Sequence, residues 1–310
     1  MAALLVGAAV FLSGVGIGQV TSPAAVADSP EFRLVREAWD LLQSRYVKAD
    51  ELDRKLLAYS AIRALADATG DTEHTVFLPA DEAADDFDWT LPSVPQVSWT
   101  DVPDTNYYLL AVTDFAEGSG QQVLEAIDDI RHEGADGIIL DLRMNPGGLV
   151  DEAVTVASAF ISSGVVFSER FADGSIEPAP VDETVRTTSL PTVVLVDGDT
   201  FSAAEVVASA LQDAGRAPLV GEVTGGTGTI LRDYTLTDGS LLVIGYAEWL
   251  TRNGESVWHI GVAPDVEQRQ PIGIDPLRPY EVRQMTTARF AASHDRQLFA
   301  AIDVLEQLQR

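Results

Sequence analysis

Apolar runs of strand length alternate with helical stretches through the middle of this chain, and that alternation constrains the fold more than any other feature. Residues 107–112 (YYLLAV), 137–142 (GIILDL) and 192–196 (TVVLV) are short and almost wholly apolar. Such runs read as buried strands. Between them, residues 118–133 turn Val123, Leu124, Ile127 and Ile130 inward on a helix, and 151–161 read as a second helix. Strands alternating with helices predict an α/β core with a largely parallel sheet. Further strands are expected at 165–170, at 219–220, around Leu236 and at 241–247.

The flanks read differently. Over residues 31–68, Leu34, Trp39, Leu42 and Tyr46, then Leu52, Leu56, Tyr59, Ile62 and Leu65, recur at helical spacing, and Gly70 closes this region. Residues 71–78 form a short extended piece, 79–87 one acidic helical turn, and 88–104 an irregular loop rich in Pro, Ser and Asp. The tail, 280–308, reads as helical, with Leu298, Ile302, Leu305 and Leu308 on one face.

Charge and composition narrow the function classes. The 310 residues carry a net charge of −28, and Lys48 and Lys55 are the only lysines. Such a surface repels phosphate backbones, so no nucleic-acid partner is expected. The chain has no cysteine, which excludes disulfides, thiolate catalysis and zinc–thiolate sites. His74, His132, His259 and His294 are scattered without metal-ligand spacing, so neither a metal nor a cofactor is expected. Residues 1–20 hold no charged side chain, and Ala25-Val26-Ala27 follows Pro23. That pattern reads as a signal peptide cleaved after Ala27, or as a short anchor giving N-terminal membrane association. An extracytoplasmic location is expected.

Ser202 stands out locally. It follows the 192–196 strand and the turn Asp197-Gly198-Asp199, and a helix runs on from Glu205 to about Gln212. A serine at a strand-to-helix turn exposes its hydroxyl beside free backbone N–H groups. Ser202-x-x-Glu205 also fits a helix capping box. A serine hydroxyl attacks a carbonyl only when a neighbouring group removes its proton.

With these residues in hand, the chain resembles the tail-specific, or C-terminal processing, serine peptidases. The resemblance rests on Gly70, Asp71, Thr75, Phe77 and Leu78; on Asp141-Leu142-Arg143-Met144-Asn145-Pro146-Gly147-Gly148; on Ser202-Ala203-x-Glu205 with Ala210 to Asp213 and Gly215 to Ala217; on Gly261 to Asp265; and on Gln297 to Leu305. It implies a crotonase-like α/β core with a helical N-terminal cap and a helical C-terminal return. It implies a serine endopeptidase that cleaves unfolded or C-terminally exposed proteins by acyl transfer. Ser202 would be the nucleophile, with Gly147, Gly148 and Ala203 forming the oxyanion hole. The expected division is 1–27 leader or anchor, 28–90 helical region, 91–106 linker, 107–270 peptidase-like core and 271–310 C-terminal segment.

Two departures from the family pattern matter. The stretch 81–106 stands where the family carries a PDZ domain, and it is too short for a β-rich domain of about 50 residues. Thr227, in Gly226-Thr227-Gly228-Thr229, stands where the family carries its lysine base, and Leu231 stands where it carries a glutamine. A threonine hydroxyl cannot take the serine proton. The tricorn-type branch pairs its serine with a histidine from the preceding region, which makes His74 a candidate replacement base. The competing reading of His74 is an ordinary hydrogen-bonded loop histidine. His259 is a weaker candidate, with a solvent-facing strand position as its alternative. An inactive peptide-binding adaptor and a binder of apolar small molecules stand as alternative functions. Oligomeric state is left open.

Overall fold

The computed structural model describes residues 29–71, 74–85 and 97–310. The leader or anchor expected at 1–27 lies outside the described residues, as does most of the segment joining the N-terminal region to the core. Among the described residues no helix is long and apolar enough to cross a membrane.

The chain opens with two helices, Pro30–Arg45 and Arg54–Asp67. Ser29 and Asp53 cap them by accepting the backbone N–H groups of Phe32 and of Lys55 and Leu56. The first helix buries no residue. The second docks through Tyr59, whose ring meets Phe77 edge-on at 4.9 Å and whose hydroxyl donates to Asp238 at 2.7 Å. Gly70, at φ +79°, ends the helical region, and backbone bonds from His74 and Thr75 N–H to the Asp71 carbonyl precede β1 (Val76–Leu78). The acidic turn forms as the helix Ala80–Asp85.

The core then alternates as expected. β2 (Val97–Asp101) and β3 (Tyr107–Val112) precede the helix Ser119–His132, and β4 (Gly137–Asp141) precedes the helix Val150–Ser158. A hairpin of β5 (Val165–Phe171) and β6 (Ile176–Pro180) follows. β7 (Thr192–Val196) leads into the helix Ala203–Asp213, and then come β8 (Leu219–Gly221), β9 (Thr229–Thr235), β10 (Leu241–Leu250) and β11 (Val266–Glu267).

These strands make two sheets. One has the order β11-β8-β7-β4-β3-β2 and is parallel apart from the β2–β3 pair. The other is antiparallel: β1-β10-β5-β6, with β9 also on β10.

Successive side chains along the parallel strands point to opposite faces. Leu110, Leu140, Val194 and Leu219 therefore pack under the three core helices, against Val123, Val156 and Val207. Leu109, Ile139, Val193 and Val220 face the other way, onto Leu298, Ile302 and Leu305 of the C-terminal helix Arg296–Leu308. Strands apolar on both faces thus require a helical layer on each side.

Three local expectations are corrected. Residues 97–101 form a strand on β3 rather than irregular loop, because Trp99 pairs with Leu110 and stacks near Tyr108. The tail is three helices rather than one, Pro279–Val282, Thr287–Ala291 and Arg296–Leu308, because Thr286 and Asp295 cap new starts through their side chains. Leu236 lies in the β9–β10 turn, beyond the strand.

Candidate active site

The site is built on the C-terminal ends of β4 and β7, adjacent parallel strands whose following loops run side by side. Open parallel sheets place their ligand sites at such strand ends. Thr200 zips the two loops together: its hydroxyl donates to the Leu142 carbonyl at 2.9 Å and accepts from the Asp197 N–H at 3.0 Å. Phe201 N–H donates to the Asn145 carbonyl at 2.9 Å, and Met144 N–H donates to the Asp197 carboxylate.

Ser202 sits at this seam with φ +52° and ψ −119°. A non-glycine residue held there is strained by about 1–3 kcal/mol, and such strain gathers at functional sites. The Ser202 N–H donates to Glu205 Oε2 at 2.9 Å. The capping interaction foreseen for Ser-x-x-Glu is therefore present on the glutamate side.

Glu205 is fully buried, and its reach extends past the turn. It also accepts from Gly226 N–H at 2.8 Å, Thr227 N–H at 2.9 Å and the Thr224 hydroxyl at 2.5 Å. Burial pushes its carboxyl up, and these donors pull against that. One carboxylate thus ties the nucleophile turn to the glycine-rich loop. That loop is further held by Trp249, whose indole N–H donates to the Thr227 carbonyl at 2.6 Å.

The double-glycine turn lies against Ser202. A side-chain carbon at Gly147 would fall 2.7 Å from Ser202 Cβ, and one at Gly148 would fall 2.6 Å from the Phe115 carbonyl oxygen. Both glycines have positive φ, +99° and +136°. Their amides differ. Gly147 N–H already donates to Asn145 Oδ1 at 2.8 Å, so it is engaged locally. Among the described residues, the N–H groups of Gly148 and Ala203 have no hydrogen-bond partner. Ala203 is also the first residue of its helix, where the helix dipole adds partial positive charge.

A small cleft, with room for roughly one water molecule, lies over the seam. His74, Ser202, Ala203, Thr227, Thr229 and Leu231 all line it, with Val150, Phe167, Val206, Ile230 and Trp249 as apolar wall. The structure thus brings His74 to the candidate nucleophile from 128 positions away in sequence. The turn before β1 carries the histidine in, and β1 is pinned to β10 with Phe77 opposite Leu242. The ring is 7% exposed. Its Nδ1 lies 2.9 Å from Asp71 Oδ1, and its Nε2 is buried without a hydrogen-bond partner. Thr229 Oγ1 is a second buried, unpartnered polar atom on the same wall.

His259 is not brought to the cleft. It is exposed, holds φ +58° in a turn rather than a strand, and stacks on Trp258 at 5.0 Å. Beneath the double-glycine turn, Asp141 and Arg143 form an ion pair at 2.7 Å, and Arg143 also binds Asp295 at 2.9 Å. Arg216 does more than close its helix: it donates to the carbonyls of Phe160, Thr188 and Leu190.

Two residues escaped the sequence reading as parts of the site. Asp71 was a motif letter without a role, although its three-residue spacing from His74 was visible. Glu205 reads in sequence as a cap, and nothing there announces its bonds to Thr224, Gly226 and Thr227.

Comparison with known proteins finds relatives of the core. The family described as peptidase family S41 matches residues 106–268. The carboxy-terminal processing protease CtpA of Bacillus subtilis is 37% identical over 174 residues, covering 56% of this chain and 37% of that protein. A carboxyl-terminal-processing protease of Synechocystis is 31% identical over 203 residues, covering 66% and 44%. The chain therefore spans less than half the length of these curated relatives. Among solved structures, the photosystem II D1 C-terminal processing protease superposes with a TM-score of 0.54 at 28% identity, covering 58% of this chain and 50% of that one. A lipoprotein from Streptococcus agalactiae shares the fold at 17% identity, with a TM-score of 0.58 over 78% of this chain and 85% of its own.

Proposed function

This chain belongs to peptidase family S41, and from that premise we propose that it hydrolyses peptide bonds by acyl transfer at Ser202 with His74 as the proton acceptor. The observation that carries the reading is the buried Nε2 of His74, without a hydrogen-bond partner, in the cleft that Ser202 lines. Buried polar atoms are rarely left unmatched, and exceptions point to a reactant or water that completes them. Catalytic hydrogen bonds are often open before substrate arrives.

Ser202 Oγ bonds to the scissile carbonyl carbon as its proton passes to His74 Nε2. The carbonyl oxygen becomes an oxyanion held by the N–H groups of Gly148 and Ala203. The carbon–nitrogen bond then breaks, and the departing amine takes the proton from the imidazolium. Water, deprotonated by the same imidazole, releases the acyl group and restores Ser202. Thr227 and Leu231, at the positions of the family's lysine and glutamine, contribute shape and no proton transfer.

The names of the relatives support processing at the C-terminus of a protein substrate. The uncharged residues 1–20 support an extracytoplasmic site of action.

Cleavage of an unfolded protein substrate by the wild type, beside Ser202→Ala and His74→Ala, tests this. Each variant is expected to lose on the order of 10⁴-fold or more in turnover. Turnover retained by Ser202→Ala would remove the reading altogether. A wild type that binds peptides without cutting them would favour the adaptor. Thr227 and Leu231, in place of the family's lysine and glutamine, are what keep that second reading in view.

A further inference from the structure

We propose that Asp71 is the positioning carboxylate of His74: it holds the imidazole proton on Nδ1, so that Nε2 presents its lone pair to the Ser202 hydroxyl. This deepens the peptidase reading and rests on it.

The turn dictates the pairing. Both His74 N–H and Thr75 N–H donate to the Asp71 carbonyl, at 3.1 and 2.7 Å, which holds His74 close to Asp71. Asp71 Oδ1 then lies 2.9 Å from His74 Nδ1, and Oδ2 accepts the Thr75 hydroxyl at 3.1 Å. A carboxylate that accepts from Nδ1–H leaves Nε2 as the unprotonated nitrogen.

The carboxylate itself is seated firmly. Asp71 is 6% exposed. Thr75 links it to β10 by accepting the Gly245 N–H at 3.2 Å. Gly245 has no side chain there, and one carbon added to it would fall 2.9 Å from Asp71 Oδ2. Among the described residues, no lysine or arginine pairs with Asp71. Its charge therefore remains available to an imidazolium formed during acylation, inside a largely dry site where that attraction is strong.

A purely structural histidine would be expected to use both ring nitrogens. Here one is anchored by a buried carboxylate while the other is buried and empty, which costs about 1–3 kcal/mol in the resting protein. That asymmetry is what an acceptor awaiting a proton requires, and it sets Asp71 apart from a loop anchor.

The test uses the full chain, with ¹⁵N-labelled histidine and a fluorophosphonate that labels active serines. In the wild type, the His74 resonances are expected to show the proton on Nδ1. Asp71→Asn should mix the tautomers and lower kcat by about 10³–10⁴-fold with KM within about twofold, as loss of an orienting carboxylate does. Fluorophosphonate labelling of Ser202 should slow in parallel. Gly245→Ala, which displaces the carboxylate without altering it, should give a smaller loss of the same kind and serves if Asp71→Asn does not fold. An unchanged tautomer in both variants, or a changed tautomer with wild-type kcat, would overturn the role of Asp71. Wild-type turnover in His74→Ala would instead overturn the choice of base, and the tautomer readout keeps these two failures apart.

Discussion

At the scale of single residues, the site depends on a few groups whose partners lie far away in sequence. Glu205 is the sharpest case: four donors converge on one buried carboxylate. Its carboxyl is raised by burial. The folded protein therefore holds that proton more tightly than the unfolded chain. This contribution to stability is present below the ordinary carboxylate value and is lost as pH rises through the raised one. Glu205→Gln should abolish that slope in a pH series of denaturant melts. It should also cost about 1–3 kcal/mol at neutral pH, because an amide N–H₂ would face donors instead of accepting from them. If Glu205→Gln keeps wild-type stability and a wild-type rate of Ser202 labelling, the carboxylate does not tie the two loops together.

At the scale of elements, the helix Arg54–Asp67 and the turn after it act as a carrier for His74. The Tyr59 hydroxyl is the main polar tie between that helix and the β9–β10 hairpin. Its acceptor, Asp238, is held down to about 2 by the Ser240 hydroxyl first and Tyr59 second. For a depressed carboxyl the tie is in place above the ordinary carboxylate value and lost as pH falls toward about 2. Tyr59→Phe should speed hydrogen exchange in residues 54–78 while leaving the β4 and β7 amides unchanged. It should also lower kcat by several-fold through looser delivery of His74. Exchange that rises equally across the whole core would show that the helix is not a separately docked element.

At the scale of the whole molecule, one buried network joins the C-terminal return to the double-glycine turn. Arg143, fully buried, lies between Asp141 and Asp295, and Asp295 also caps the last helix and accepts Leu277 N–H. Burial raises the Asp141 carboxyl, but Arg143 beside it more than offsets this, so the group is held below the usual carboxylate range. Removing Asp295 leaves Arg143 paired with Asp141 but takes a buried carboxylate from its Nη1 and the cap from the last helix. Asp295→Ala is therefore expected to cost about 3–5 kcal/mol in urea unfolding. A cost under about 1 kcal/mol would mean that the tail helix is an appendage rather than a second wall of the sheet.

Much of this architecture was legible in the letters alone. Apolar runs such as 137–142 and 192–196 can only be buried strands, and the helical stretches between them leave few topologies other than a parallel sheet. The Ser202 turn and the double glycine were equally visible, because strand-to-helix turns and left-handed glycines leave local signatures. Local spacing could not decide which distant group shares the Ser202 cleft, since that follows from β1 pairing with β10 and from the register of that pairing. Nor could it tell that Gly147 has its amide engaged while Gly148 does not, or that Asp71 faces a gap at Gly245. Periodicity reports the burial of one element at a time, whereas proton acceptors, free amides and orphaned nitrogens are defined by what the rest of the fold places beside them.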